Sequence, residues 1–343
     1  MVLVLAASAM ALPILAAAKV VWSLPKPLLL VLGGIFVICS APYAWLAGRL
    51  RNPVSFSTLY KHAITLLGTW ALVAALFLGA IYRLDRAGWL WTQVTGYNVT
   101  LPEDYSDRIF LTLERFVQRY PFFIVDPQDT TQLILPKGSY QFRETIVIPE
   151  GTSLVIEPGA ILRFGVGRSL VSYSPIIAKG SVSDPIIFAA LHPWLKWGAV
   201  GVIKAEKSLF DYVRFENGRQ AFVNGADFFG GLSLIETESE ITNSQFMNMF
   251  GRDAVYVNRG SVLVRNNIFY RAYKDCIDFD GGRGEISSNI FVNCGDEAVD
   301  LSANFDIDVF SNQVLGPGGG RMDADNNLDK IISLNEFIDI GGE

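Results

Sequence analysis

Histidine is nearly missing from this chain, with only His62 and His192 among 343 residues. That scarcity removes most chemistry in which imidazole shuttles protons or ligates a metal. Cysteine is scarce too. Cys39 lies in an apolar run, and Cys276 and Cys294 lie far from it with no CxxC. A sparse, odd set of this kind describes neither a zinc site nor a disulfide framework, so all three are read as small buried hydrophobes. Lysine and arginine total 28 against 34 acidic residues, and no basic stripe runs through the sequence. Nucleic acid is therefore not an expected partner. The glycine-rich segment at 316–320 has neither the lysine nor the strand–helix context of a phosphate-binding loop. No Ser/His/Asp or Cys/His set can be assembled.

Most of the long apolar runs fall in the first 90 residues, which carry few charges. Leu28–Gly48 is 21 residues without a charge, and His62–Tyr82 matches it in length and texture. A membrane span needs about 20 apolar residues, so both are expected to be transmembrane helices. Residues 2–18 read as a third, short span, or as a start cut from something longer. They resemble a signal peptide less, because a basic n-region is lacking. Arg49, Arg51 and Lys61 lie on one side of such spans and Lys19, Lys26, Arg83 and Arg86 on the other, so the positive-inside rule sets no orientation. The expected organisation is a transmembrane region over 1–91, a linker with an amphipathic helix over 92–130, and a repeat domain over 131–343. The helix is expected across Ser106–Tyr120, with Ser106 as N-cap and Pro121 ending it, placed to plug the open core of the first repeat.

What is abundant is a repeat. An apolar residue, two others, Asn, one residue and another apolar residue recur as VRNNIF at Val264, ISSNIF at Ile286, VFSNQV at Val309 and ISLNEF at Ile332, in steps of 22, 23 and 23. ITNSQF at Ile241 is the same unit with Ser244 in the Asn place, and FDYVRF at Phe210 precedes a longer gap that holds the insertion GADFFGG. Constant periods of this length signal a solenoid. The units contain no 3.6-residue periodicity. Each instead offers runs of three to five residues with period 2, punctuated by Gly, Asn and Asp. About 22 residues per coil is the arithmetic of an all-β right-handed parallel β-helix, whose like strands stack ~4.8 Å apart. Asn267, Asn289, Asn312 and Asn335 are then expected to form an inward ladder at one tight bend, a structural role.

The succession SLVSYSPIIAKG, FFGGLSLIE, DAVYVNRGSVLVRNNIF, DCIDFDGGRGEISSNIF and EAVDLSAN resembles the bacterial β-helix regions that accompany CotH kinase-like domains in cell-envelope proteins. The resemblance spans roughly residues 130–340. It implies the fold and a bacterial inner-membrane anchor with the β-helix extracytoplasmic. It carries no activity, and any kinase-like partner would be a separate chain. The Gly-His-Gly turn and Arg-x-Lys of β-helical polygalacturonases are not found in the repeats, nor is the Trp-x-Asp-His of pectate lyases.

Candidate chemistry lies in stacked carboxylates. The strand after each Asn bend reads Val255-Tyr256-Val257, Ile277-Asp278-Phe279, Val299-Asp300-Leu301 and Met322-Asp323-Ala324. Flanking residues point inward, so Tyr256, Asp278, Asp300 and Asp323 form one outward file. A second file precedes it with Asp253, Asp275 and Glu297, and Asp280 and Asp296 add charge. Like charges directly opposite in a sheet repel, so the face needs compensation. One reading is a solvated face with Arg252, Arg271, Lys274, Arg283 and Arg321 as counter-charges. A second is a hard cation such as Ca²⁺ held by Asp275, Asp278, Glu297 and Asp300. A third is catalysis by Asp278, Asp300 and Asp323, with one carboxylate held protonated. Trp194 and Trp197 offer rings for sugar stacking, although a tryptophan near such a turn more often covers the core edge. Three functions follow as expectations. The first is a membrane-anchored envelope protein that binds or scaffolds a glycan or protein partner through an acidic, calcium-binding face. The second is a polysaccharide lyase, epimerase or hydrolase. The third is a subunit of a larger membrane complex.

Overall fold

The computed structural model describes residues 110–316, 321–324 and 334–340. The chain divides between Leu101 and Pro102, and all described residues lie in the second unit. The expected spans 2–18, 28–48 and 62–82 lie outside the described residues. Among the described residues no helix is long and apolar enough to cross a membrane.

Among the described residues the repeats send strands to two sheets, one of 14 strands and one of nine, parallel throughout except for the antiparallel first pair Ile124–Val125 and Gln132–Leu135. The short strands are built by alternation. Ser153–Ile156 and Ile161–Phe164 each alternate half-buried and buried residues, which is what a strand with one face on a core requires. The inward positions of the nine-stranded sheet carry phenylalanine in register. Phe188, Phe215, Phe246, Phe269 and Phe291 pair successively. Their rings stack at 5.0, 4.9, 4.7 and 4.9 Å. These distances are the strand spacing itself, so an identical large ring at each coil stacks in contact with the next.

The bend between the sheets is tight because a left-handed residue precedes each ladder position. Asn243, Asn266, Ser288, Ser311 and Leu334 all have φ between 51° and 69°. Asparagine tolerates this region better than most residues, and Ser288, Ser311 and Leu334 adopt it in the same place. The inward amides then pair the groups that the bend would orphan. Asn289 Oδ1 accepts from both the main-chain N and Nδ2 of Asn267, at 2.9 and 3.0 Å. The same pair of bonds joins Asn289 to Asn312 and Asn312 to Asn335. Ser244 continues the file, its amide donating to Asn267 Oδ1 at 2.8 Å.

Two expectations are corrected here. The capping helix, α1, covers only Leu113–Arg119, with Thr112 rather than Ser106 as N-cap; Ser106 lies outside the described residues. Thr112 Oγ1 accepts from the Arg115 amide, while Phe116 is fully buried in the core and Tyr120 and Arg119 both bond Glu144. Cys276 and Cys294 are not separate small hydrophobes but a disulfide, with Cα atoms 5.5 Å apart. Eighteen residues carry the chain almost once round the coil, from the start of the strand Asp275–Ser287 to the end of the strand Ile290–Cys294.

Candidate functional site

The 14-stranded sheet has an outward file that changes character along the solenoid. Val147, Val171, Gly201, Ser233, Tyr256, Asp278, Asp300 and Asp323 pair in that order across successive strands. The first members are apolar because something covers them. Ala221–Val223 and Ala226–Phe228 form an antiparallel hairpin around Asn224 and Gly225, both at positive φ. The GADFFGG insertion supplies Gly225 and the second strand of this hairpin, whose two-residue turn is of the kind Asn-Gly favours. Val223 and Phe228 cluster with Val147, Val171 and Ile203 in a second small core outside the sheet. Gly201 permits it, since a Cβ there would stand 2.2 Å from the Phe228 ring.

Where the hairpin stops, the carboxylates begin. Phe229 meets Tyr256 edge-on at 5.2 Å, and the Arg252 guanidinium lies 5.3 Å over the Phe229 ring. Arg252 also comes within 3.7 Å of Asp278. Asp278 does point outward, between the fully buried Ile277 and Phe279, yet its exposure is only 1%. The expectation of an exposed file is thereby corrected: alternation fixes direction, whereas cover comes from neighbours such as Arg252. Asp300 is half-buried, and only Asp323 is exposed.

The second file is buried more deeply. Asp253 pairs with Asp275, and Asp253, Asp275 and Asp278 offer carboxylate oxygens that lie within 4.8 Å of one another. Asp275 is well bonded, with Oδ1 accepting from the Glu297 amide at 3.0 Å and Oδ2 held 3.0 Å from Lys274 Nζ. The other two are not. Both oxygens of Asp253 and both oxygens of Asp278 are buried without a hydrogen-bond partner. Burial, then the charges of Asp278 and Asp275, push the Asp253 carboxyl up to about 9 against the pull of Arg252 and Lys274. Burial, then Asp280 and Asp300, push Asp278 up to about 7. Tyr256 donates to Asp280 at 2.7 Å, and burial together with that carboxylate raises its phenol.

Of the four residues expected to hold a cation, Asp275 and Asp278 are brought together, with Asp253 as their third member. Glu297 joins Asp275 and Asp296 in a separate group and is paired with Arg321. Asp300 belongs to neither group. Asp323, the last catalytic candidate, bonds its neighbour's amide at Ala324. Sequence reasoning placed Asp253 in the second file but missed that it sits at the centre of the cluster. It also missed an aromatic rim. Met249 pairs with Ala272, so Phe250 and Tyr273 follow in the same turn of consecutive coils, exposed by 39% and 72%. Their spacing of 23 residues, in phase with the repeat, was the available signal. Trp194, 61% exposed, lies in the corresponding turn two coils earlier, stacked on His192. Trp197 is core, fully buried and stacked on Phe164.

Residues 194–338 match the family model described as the right handed beta helix region. The described part of the chain is a right-handed parallel β-helix. The match concerns the β-helix repeat and brings no kinase-like association with it. No curated protein and no solved structure matches the chain.

Proposed function

We propose that this β-helix is anchored at the bacterial inner membrane, faces the extracytoplasmic side, and binds a glycan through the surface between its hairpin and Asp323. The observation that carries the reading is the juxtaposition of an exposed aromatic rim, Phe250 and Tyr273, with the turn that leads into the carboxylate file. Aromatic faces accept the apolar faces of sugar rings, and carboxylates accept their hydroxyls, so the two together suit a glycan better than either alone. The acidic surface favours neutral or amine-bearing sugars. The apolar segments 28–48 and 62–82 support the anchor. The disulfide Cys276–Cys294 supports an oxidising compartment outside the cytoplasm. An envelope protein, a separate kinase-like chain among them, is the alternative partner, reached through the same face as one subunit of a larger membrane complex.

Incubating the full chain with a panel of neutral, amino and acidic polysaccharides tests the reading. Saturable binding that Asp300→Asn and Tyr273→Ala weaken, with both variants folded, supports it. Binding to none of the panel, or binding that ignores both substitutions, sinks it. A second reading rests on Asp278. Its carboxyl, raised to about 7 by burial and by Asp280 and Asp300, is stacked in register behind the half-buried Asp300. A pair of carboxyls in such unlike environments suits acid–base chemistry, so Asp300 backed by Asp278 would cleave or epimerise the glycan that the face holds. Under this second reading the panel yields products by mass spectrometry, and Asp278→Asn abolishes them while binding persists.

A further inference from the structure

Four buried carboxylate oxygens without partners form a stronger pattern than an acidic surface. Asp253 and Asp278 are each 1% exposed and neither finds a hydrogen-bond donor, although hydrogen bonding is the rule for buried polar atoms. Protonation alone does not remove the discrepancy. A neutral carboxylic acid still carries a donor and an acceptor that seek partners, and among the described residues Asp253 is given neither. The local cations fall short as well. Lys274 engages Asp275 and lies 3.8 Å from Asp296, Arg252 reaches only 3.7 Å from Asp278, and no ion pair joins either of them to Asp253.

We propose that Asp253, Asp275 and Asp278 form a binding site for a divalent cation of the calcium class. All three donors are carboxylates, which hard cations prefer and which offer nothing to soft metals. Their oxygens converge within 4.8 Å of one another, close enough that small side-chain turns bring all three to the ~2.3–2.6 Å at which such an ion is held. The register makes the convergence. Asp253 and Asp275 are stacked directly, and Asp278 lies three residues along the second strand, so side chains from two coils meet at one spot. The ion would join adjacent coils beside the aromatic rim. Lys274 is half-exposed, so it can turn from Asp275 to Asp296 as the ion enters. The site stands whether or not the neighbouring face binds a glycan.

Calcium chloride titrated into the chelator-treated full chain, followed by calorimetry and by thermal melting, tests this. The expected result is one saturable site per chain, a Tm that rises with Ca²⁺, and a weaker response to MgCl₂. Asp253→Asn should weaken binding about tenfold or more. Glu240→Gln, a residue paired with Lys207 on another face, should leave it unchanged. Asparagine mimics a protonated aspartic acid in shape, so Asp253→Asn tests charge without opening a cavity, and circular dichroism confirms its fold. No saturable heat and no Tm shift in the unaltered chain would overturn the proposal, as would Asp253→Asn binding Ca²⁺ like the parent. A preference for Mg²⁺ would overturn the calcium assignment.

Discussion

Substitution of Asn289 by alanine tests the ladder on which the site is mounted. The Asn289 side chain makes four hydrogen bonds. It accepts from Asn267 N and Nδ2 at 2.9 and 3.0 Å, and donates to Val264 O and Asn312 Oδ1 at 2.9 and 3.0 Å. Alanine removes all four. Asn312 Oδ1 still receives the Asn289 main-chain amide, but the Asn267 main-chain amide and one N–H of its Nδ2 lose their acceptor in a buried bend. Each stranded group costs ~1–3 kcal/mol, so the two together should cost about 2–6 kcal/mol. Urea unfolding of the full chain followed by tryptophan fluorescence measures it. Asn289→Ser should lose about half as much, because Ser244 fills the same place two periods upstream and its hydroxyl accepts from the Val213 amide at 3.0 Å. A loss below ~0.5 kcal/mol for alanine, or a serine variant no better than alanine, would show that the amides are not what holds the bend.

Replacing Cys276 and Cys294 together by alanine opens a loop of 18 residues and should cost ~3 kcal/mol, checked by the urea midpoint with and without reductant. If the reduced parent and the double variant unfold like the oxidised parent, the bridge contributes nothing. Gly201→Val drives a side chain into the Phe228 ring and should detach the hairpin at ~1–3 kcal/mol, seen as faster proteolysis near Asn224 and Gly225. The carboxylate cluster predicts a pH dependence in chelator. Asp253 and Asp278 have raised folded-state values of about 9 and about 7, so the folded chain holds protons that the unfolded chain has released. Stability is therefore full below the ordinary aspartate range near pH 4 and is lost as pH rises through about 7 and then about 9. A Tm that is flat or rising over that window would contradict the burial of the two acids.

The fold was legible because each repeat carries its own label. The Asn of VRNNIF and its copies marks the bend, the Phe two residues later marks the inward stack, and a constant step places like on like. The outward file was legible for the same reason, since period-2 alternation fixes which way Asp278 and Asp300 point. What alternation cannot give is cover. Asp278 is buried because Arg252, held over Phe229, leans on it from an earlier coil, and nothing within the Ile277–Phe279 strand encodes that. Cys276 and Cys294 escaped because their separation of 18 is the closure of one coil rather than the repeat step. The GADFFGG insertion read as a gap in the pattern, yet it supplies the flap whose edge marks where the acidic face begins. Phe250 and Tyr273 are in phase with the repeat, but phase does not encode exposure, and an aromatic in such a turn more often covers the core edge.

The most direct test of the central claim, that the face beside the hairpin is where this β-helix meets its glycan, is hydrogen exchange of the full chain with and without the tightest-binding sugar of the panel. The account predicts slowed exchange confined to the turns around Phe250 and Tyr273 and to the strands Asp253–Arg265 and Asp275–Ser287. Protection placed instead on the nine-stranded sheet, with those turns and strands unchanged, would contradict it.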